Sequence, residues 1–209
     1  MNLQKINVFQ EGFDLSAHLK RFPPEMEGGV HQIPQQMNRL RELSKSCKNI
    51  MEIGFNAGAS ARVFLESALE PEVVSFDLGS HDYCTPNKKE IDSWATGRHT
   101  LIIGDSLETV PQYVRDRPGM VFDLILIDGG HIYEIAKADF INCKALAHHN
   151  TVVIMDDVVT DASARGAYNY LEGPSKVWEE GVKSGEIEHL GGEEYVGLGR
   201  GMAWFKYNT

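Results

Sequence analysis

No stretch of this chain approaches the ~20 consecutive apolar residues needed to cross a bilayer, so the sequence predicts no membrane partner. Basic residues are scarce too: 20 lysines and arginines face 30 acids, for a formal net charge of -10. That balance, with no basic run, argues against nucleic acid as a partner. Cysteine is almost missing. Cys47, Cys84 and Cys143 are too few and too dispersed for a disulfide framework or a cysteine-rich zinc site. The opening MNLQKINVFQEGFDLSAHLKRF lacks the continuous apolar core of a secretory signal. Repeats, low-complexity tracts and dividing linkers are absent as well. The expectation is a single reduced, cytoplasmic domain over residues 1–209, with residues 1–45 as an N-terminal cap over a site. Homo-oligomerisation stays open.

What is present is alternation. NIMEIG (49–54), EVVSFD (72–77), HTLIIGD (99–105), FDLILID (122–128) and NTVVIMDD (150–157) read as short apolar strands. Helical stretches separate them: NAGASARVFLESAL, a short helix or loop in KKEIDSWATG, and SLETVPQYVRDR with Ser106 as its N-cap. After the fourth strand Ile132, Ala136, Phe140, Cys143 and Ala147 recur at helical spacing. IPQQMNRLRELSKSC predicts a helix before the first strand. Beyond residue 160 the chain reads as helix broken around Gly173-Pro174, then as two closing strands forming an antiparallel hairpin. Apolar strands each followed by a helix imply an α/β fold, a parallel sheet covered on both faces. Ligands then bind outside the carboxyl ends of the strands.

Those ends carry the chemistry. MEIGFNAGAS (51–60) is a strand, a glycine turn and a helix start, where Gly54 and Gly58 let backbone approach a ligand. Its G-x-x-x-G spacing is not the dinucleotide fingerprint, and Glu52 would repel a pyrophosphate. A plain strand-to-helix turn is the competing reading. Asp77 ends the second strand, where an acid can accept ribose hydroxyls; a solvated loop aspartate is the alternative. Asp105 and Ser106 end the third, where an adenine amino group fits, although Ser106 equally suits a helix cap.

Asp128 ends the fourth strand and Asp156-Asp157 the fifth. If those strands are neighbours, three carboxylates converge and repel unless a proton or cation intervenes. An all-oxygen set suits Mg²⁺, or Ca²⁺ or Mn²⁺, better than Zn²⁺. Otherwise one acid caps a helix and the others face solvent. His131, three residues past Asp128, is placed to act as a general base or to cap the following helix. The remaining histidines show no ligand spacing; His81, just after the Asp77 loop, and His31, in the cap, are the two to watch.

In their order and spacing, EIGFNAGAS, SFDLGS, IIGDS, DLILIDGGHIYE and VVIMDDV resemble a class I S-adenosylmethionine (SAM)-dependent methyltransferase over about residues 33–207. The closing GRGMAWFKY resembles the reversed last strand of that fold. The resemblance implies a Rossmann-like seven-stranded sheet, order 3-2-1-4-5-7-6, last strand antiparallel, with helices on both faces. Within it, DG-x-H-x-YE followed by DD looks like the methyltransferase-24 type, related to catechol O-methyltransferase and metal-dependent sugar O-methyltransferases. By resemblance Glu52, Gly54, Asn56, Gly58 and Ser60 line the methionine part of the cofactor, with Asp128 at its edge. Asp77 holds the ribose, and Asp105 with Ser106 the adenine. Asp128, Asp156 and Asp157 fall on metal-ligand positions. Catechol-type enzymes have lysine where this chain has His131, and asparagine where it has Asp157. The implied reaction is metal-dependent O-methylation of a small hydroxylated acceptor, sugar-like or phenolic. A nicotinamide-dependent dehydrogenase and a non-catalytic cofactor-binding protein are the rival readings. The glycine spacing and terminal hairpin argue against the first, the converging acids against the second.

Overall fold

Eight strands form one sheet in the computed structural model, which describes residues 2–10, 12, 14, 17, 20, 32–67 and 69–208. In chain order they are β1 (Gln4–Ile6), β2 (Asn49–Ile53), β3 (Glu72–Asp77), β4 (His99–Ile103), β5 (Phe122–Ile127), β6 (Ala147–Asp156), β7 (Ile187–Tyr195) and β8 (Arg200–Tyr207). The helices are α1 (Pro34–Ser44), α2 (Ala59–Leu65), α3 (Cys84–Trp94), α4 (Ser106–Asp116), α5 (Tyr133–Lys144), α6 (Ala162–Ala167) and α7 (Glu172–Ser184). Among the described residues none is long and apolar enough to cross a membrane.

The sheet order is β1-β7-β8-β6-β5-β2-β3-β4. This corrects the expected seven strands to eight, and the expected order only by the strand added at one edge, since β2–β8 keep the expected succession. The difference is β1, a three-residue strand that pairs parallel with β7 through Gln4–Glu193, Lys5–Glu194 and Ile6–Tyr195. It was invisible in the sequence because three residues are too short for an alternation signal. β8 runs antiparallel to both β6 and β7. The expected cap, 1–45, is described at 2–10, 12, 14, 17, 20 and 32–45, which include β1 and α1; His31 lies outside the described residues.

Period-2 side-chain alternation explains the two cores. In β5, Ile125 and Ile127 pack with Val110, Phe140 and Trp178 on the α4, α5 and α7 side. Leu124 and Leu126 face Leu40, Phe64 and Ile91 on the α1, α2 and α3 side. Both faces of the sheet are therefore dry, as near-continuous apolar strands require.

Several local boundaries moved. The N-cap of α4 is Asp105, not Ser106: the Asp105 carboxylate accepts from Leu107 N at 2.9 Å. The break in the last quarter of the chain lies at Asn169–Leu171, a short 3₁₀ turn, rather than at Gly173-Pro174. Pro174 instead sits in the first turn of α7, where a missing N–H costs no helical bond. Ile132 is the exposed residue before α5 and Ala147 already belongs to β6, so only Ala136, Phe140 and Cys143 form the buried stripe.

Candidate active site

At the carboxyl ends of β2–β6 a cavity of about 650 Å³ opens, within the usual range for small-molecule sites. Its wall includes Gly54, Asn56, Ser60, Asp77, Asp105, Ser106, Asp128, His131, Asp156 and Asp157. Glu52 and Gly58 do not line it; they act from behind.

One end is built by the loop from β2 to α2. Gly54 has φ +98°, and a Cβ there would lie 1.9 Å from the Asp128 carbonyl oxygen. Only glycine allows the two strand ends to approach this closely. Gly58, in the left-handed region, starts α2. Asn56 donates its N–H to Asp77 Oδ2 at 2.8 Å, and Gly79 N donates to Asp77 Oδ1 at 2.7 Å. The ribose candidate is thus locked to the loop beside it. Asn56 Oδ1 is buried without a hydrogen-bond partner, an acceptor in the cavity wall that a ligand donor would satisfy. Beneath the loop Glu52 is fully buried, accepting from Ser60 Oγ at 2.5 Å and Ser75 Oγ at 2.6 Å. Burial pushes its carboxyl up to about 7, against the pull of the two hydroxyls.

The other end is acidic. β5 and β6 are parallel neighbours, with Ile127 opposite Met155, so the acids that follow them come together. One oxygen each of Asp128 and Asp157 and a ring nitrogen of His131 lie within 4.8 Å of one another. His131 Nε2 is 2.9 Å from Asp157 Oδ2. Asp157 takes φ +57°, a left-handed turn that aspartate tolerates better than most residues. Asp156 stands beside this group, and its Oδ1 accepts from Gln36 Nε2 at 3.1 Å. Burial, then the neighbouring Asp157, pushes Asp156 up to about 7. Burial with Asp156 and Asp157 alongside holds Asp128 well above the usual carboxylate range, and Arg200 acts against that rise.

Sequence reasoning missed four residues here. Gln32 donates to Asp128 Oδ2 at 3.5 Å and leaves its buried Oε1 unpartnered. Gln36 reaches Asp156, Arg200 lines the cavity from the start of β8, and Tyr170 packs its ring 5.7 Å from His131. An amide or a lone arginine in a loop carries no motif. Only the fold brings them here. His81 also lines the wall, as Asp77 does.

A family described as a methyltransferase domain, methyltransferase-24, matches residues 51–158. The chain belongs to this family. It is a SAM-dependent methyltransferase, which sets the dehydrogenase reading aside. No curated protein matches the chain. Among solved structures, the methyltransferase is similar to an O-methyltransferase from Bacillus cereus in complex with SAH. That pair shares 19% identity over 93% of this chain and 88% of that one, with a TM-score of 0.70. The O-methyltransferase TomG from Streptomyces achromogenes, in complex with SAM, is 18% identical over 97% and 96%, with a TM-score of 0.71. A TDP-rhamnose 3'-O-methyltransferase of calicheamicin biosynthesis is 19% identical over 93% and 92%, with a TM-score of 0.63. At these identities the likeness is one of fold.

Proposed function

We propose that this methyltransferase moves a methyl group from SAM to a hydroxyl of a small polyhydroxylated or phenolic acceptor, assisted by a divalent cation. The observation that carries the reading is a single cavity with two unlike ends. The loop 54–60, Asp77, Asp105 and Ser106 suit a nucleoside with an amino-acid tail; the acids and His131 suit a hydroxylated acceptor. The O-methyltransferase names of similar structures add support.

SAM when bound supplies a sulfonium methyl for in-line displacement, a reaction governed by alignment of donor and acceptor. The loop would align the donor: Asp77 would face the ribose, held still by the bonds it accepts from Asn56 N and Gly79 N. The donor set fits a cation. Asp128 and Asp157 offer converging oxygens, Asp156 adds a third carboxylate beside them, and Gln32 Oε1 is an unpartnered oxygen next to Asp128. These residues would hold Mg²⁺, Ca²⁺ or Mn²⁺, and such an ion lowers the pKa of an adjacent hydroxyl. His131, whose Nε2 lies 2.9 Å from Asp157 Oδ2, is the candidate base for the hydroxyl proton.

A cation-free variant of the same reaction is favoured by Arg200, whose charge already offsets Asp128 and Asp156. Calorimetry with SAH tests the cofactor, with micromolar binding expected. Methyl transfer to a hydroxyl panel, with and without a chelator, tests the rest. A 10-fold or larger loss on chelation, repeated by Asp157→Ala, is expected. Full activity in both conditions sinks the cation.

A further inference from the structure

The loop that faces the cofactor is braced from a distance by two residues on neighbouring strands. Glu52 on β2 and Ser75 on β3 sit directly opposite in the sheet, and Ser75 Oγ donates to Glu52 Oε1 at 2.6 Å. On the far side, Ser75 Oγ lies 2.8 Å from His99 Nε2, at the start of the edge strand β4. A serine hydroxyl has one proton, and it is committed to the carboxylate. His99 must therefore donate from Nε2, and its Nδ1 is the unprotonated nitrogen, buried with no partner. Burial, then nearby Lys88, pushes His99 down to about 4, so the ring is neutral and holds one N–H.

The bonds run in one direction: His99 to Ser75, Ser75 to Glu52, with Ser60 donating to Glu52 from the loop side. Every member is buried, with His99 at 5% and the two strand residues at 0% exposure. Low dielectric strengthens such a chain and makes a missing link costly. A second arm leaves the same histidine. Phe55 stacks on His99 with centroids 5.2 Å apart, and the Phe55 ring lies directly under Gly58, 2.8 Å from where a Cβ would stand. His99 thus reaches the loop twice, through hydrogen bonds to Ser60 and through stacking to Gly58.

We propose that His99 and Ser75 are positioning residues for the loop 54–60, setting the place of Ser60 and Gly58 and through them the grip on the amino-acid tail of the cofactor. Neither touches the cavity. The proposal rests on the SAM reading of that loop. Ordinary packing would favour an aliphatic residue at both positions of an apolar sheet; a buried polar chain needs a reason.

Calorimetry separates positioning from plain stability. SAH carries the tail, whereas 5'-methylthioadenosine keeps the nucleoside and lacks it. For His99→Leu and Ser75→Ala we expect SAH binding to weaken about tenfold, with 5'-methylthioadenosine changed less than twofold. His99→Gln retains an N–H donor and is expected to recover most of the loss. Equal weakening of both ligands, or unchanged SAH binding, overturns the proposal. If His99→Leu does not fold, Ser75→Ala alone decides it: a loss confined to SAH supports the brace, and unchanged SAH binding, or equal weakening of both ligands, overturns it. A wild-type chain that binds neither ligand overturns the cofactor reading together with the brace. Binding by wild type with unaffected variants overturns the brace alone.

Discussion

The two ends of the cavity are built on opposite plans. The cofactor end comes from one contiguous stretch, 52–60, plus the ends of the next two strands. It is fixed by backbone geometry and by short hydrogen bonds, from the buried Ser60–Glu52 pair to the more open Asp77. The acid end gathers single side chains from five distant places: Gln32 and Gln36, Asp128 and His131, Asp156 and Asp157, Tyr170, and Arg200. Its groups repel each other and are balanced pairwise rather than locked. A rigid donor end beside an electrostatically poised acceptor end is a sensible division for a displacement that depends on alignment at one side and proton removal at the other.

The plans meet at one point, and breaking it should give the largest effect. Gly54 packs its Cα against the Asp128 carbonyl with φ +98°. Gly54→Val would force these strand ends apart and place a branched residue in a region it rarely adopts. A loss of about 3 kcal/mol or more in urea denaturation is expected, with both SAH affinity and methyl transfer gone. A Gly54→Val protein of wild-type stability would mean the ends are not coupled through this contact.

That plan also decides what could be read from the sequence. EIGFNAG and the acids at the strand ends were legible because strand period, glycine and acid fall within a few residues. Even Glu52 was visible, although as a cavity group; it lies behind the wall because inward and outward residues alternate along β2, a distinction hidden when both faces are apolar. Gln32, Gln36 and Arg200 were not legible, since their roles come from tertiary placement alone. β1 escaped for lack of length. Ser106 was taken for a cap because serine and aspartate are nearly equal at that position, and only the bond to Leu107 N chooses Asp105.

The charge difference between the ends can be sharpened by pH. Glu52 is raised to about 7, Asp156 to about 7 and Asp139 to about 6, each first by burial. A carboxyl raised on folding binds its proton more tightly in the native state. Its contribution is full below the unfolded value near 4 and is lost as pH rises through the folded value. Stability should therefore fall between about pH 4 and 7, with at most ~1.4 kcal/mol per pH unit from each group. Glu52→Gln should flatten this slope by up to one proton's worth and leave the part due to Asp156. Parallel slopes for wild type and variant in urea melts at several pH values would show that Glu52 is not raised.

A smaller effect tests the acid end from the N-terminal side. Gln36 is buried and holds Asp156 Oδ1. Gln36→Leu keeps the packing and removes the donor, which should cost about 1–2 kcal/mol. Methyl transfer should drop more than SAH affinity, because only the acceptor side is disturbed. Equal losses in the two would argue that α1 supports the whole cavity.

The smallest effect marks where the acid end stops. Tyr133 begins α5 two residues after His131 and donates its hydroxyl to Glu180 Oε2 at 2.7 Å. The loop between them is braced independently: a Cβ at Gly173 of α7 would lie 2.1 Å from the His131 carbonyl oxygen, so main chain already rests on main chain there. Tyr133→Phe keeps the ring, with Lys176 Nζ 4.5 Å above it, and loses only one part-buried bond. A thermal melt should hardly move, and methyl transfer should change less than twofold. A 10-fold loss of transfer with an unchanged melt would instead place Tyr133 among the residues that hold His131, and extend the acid end onto α7.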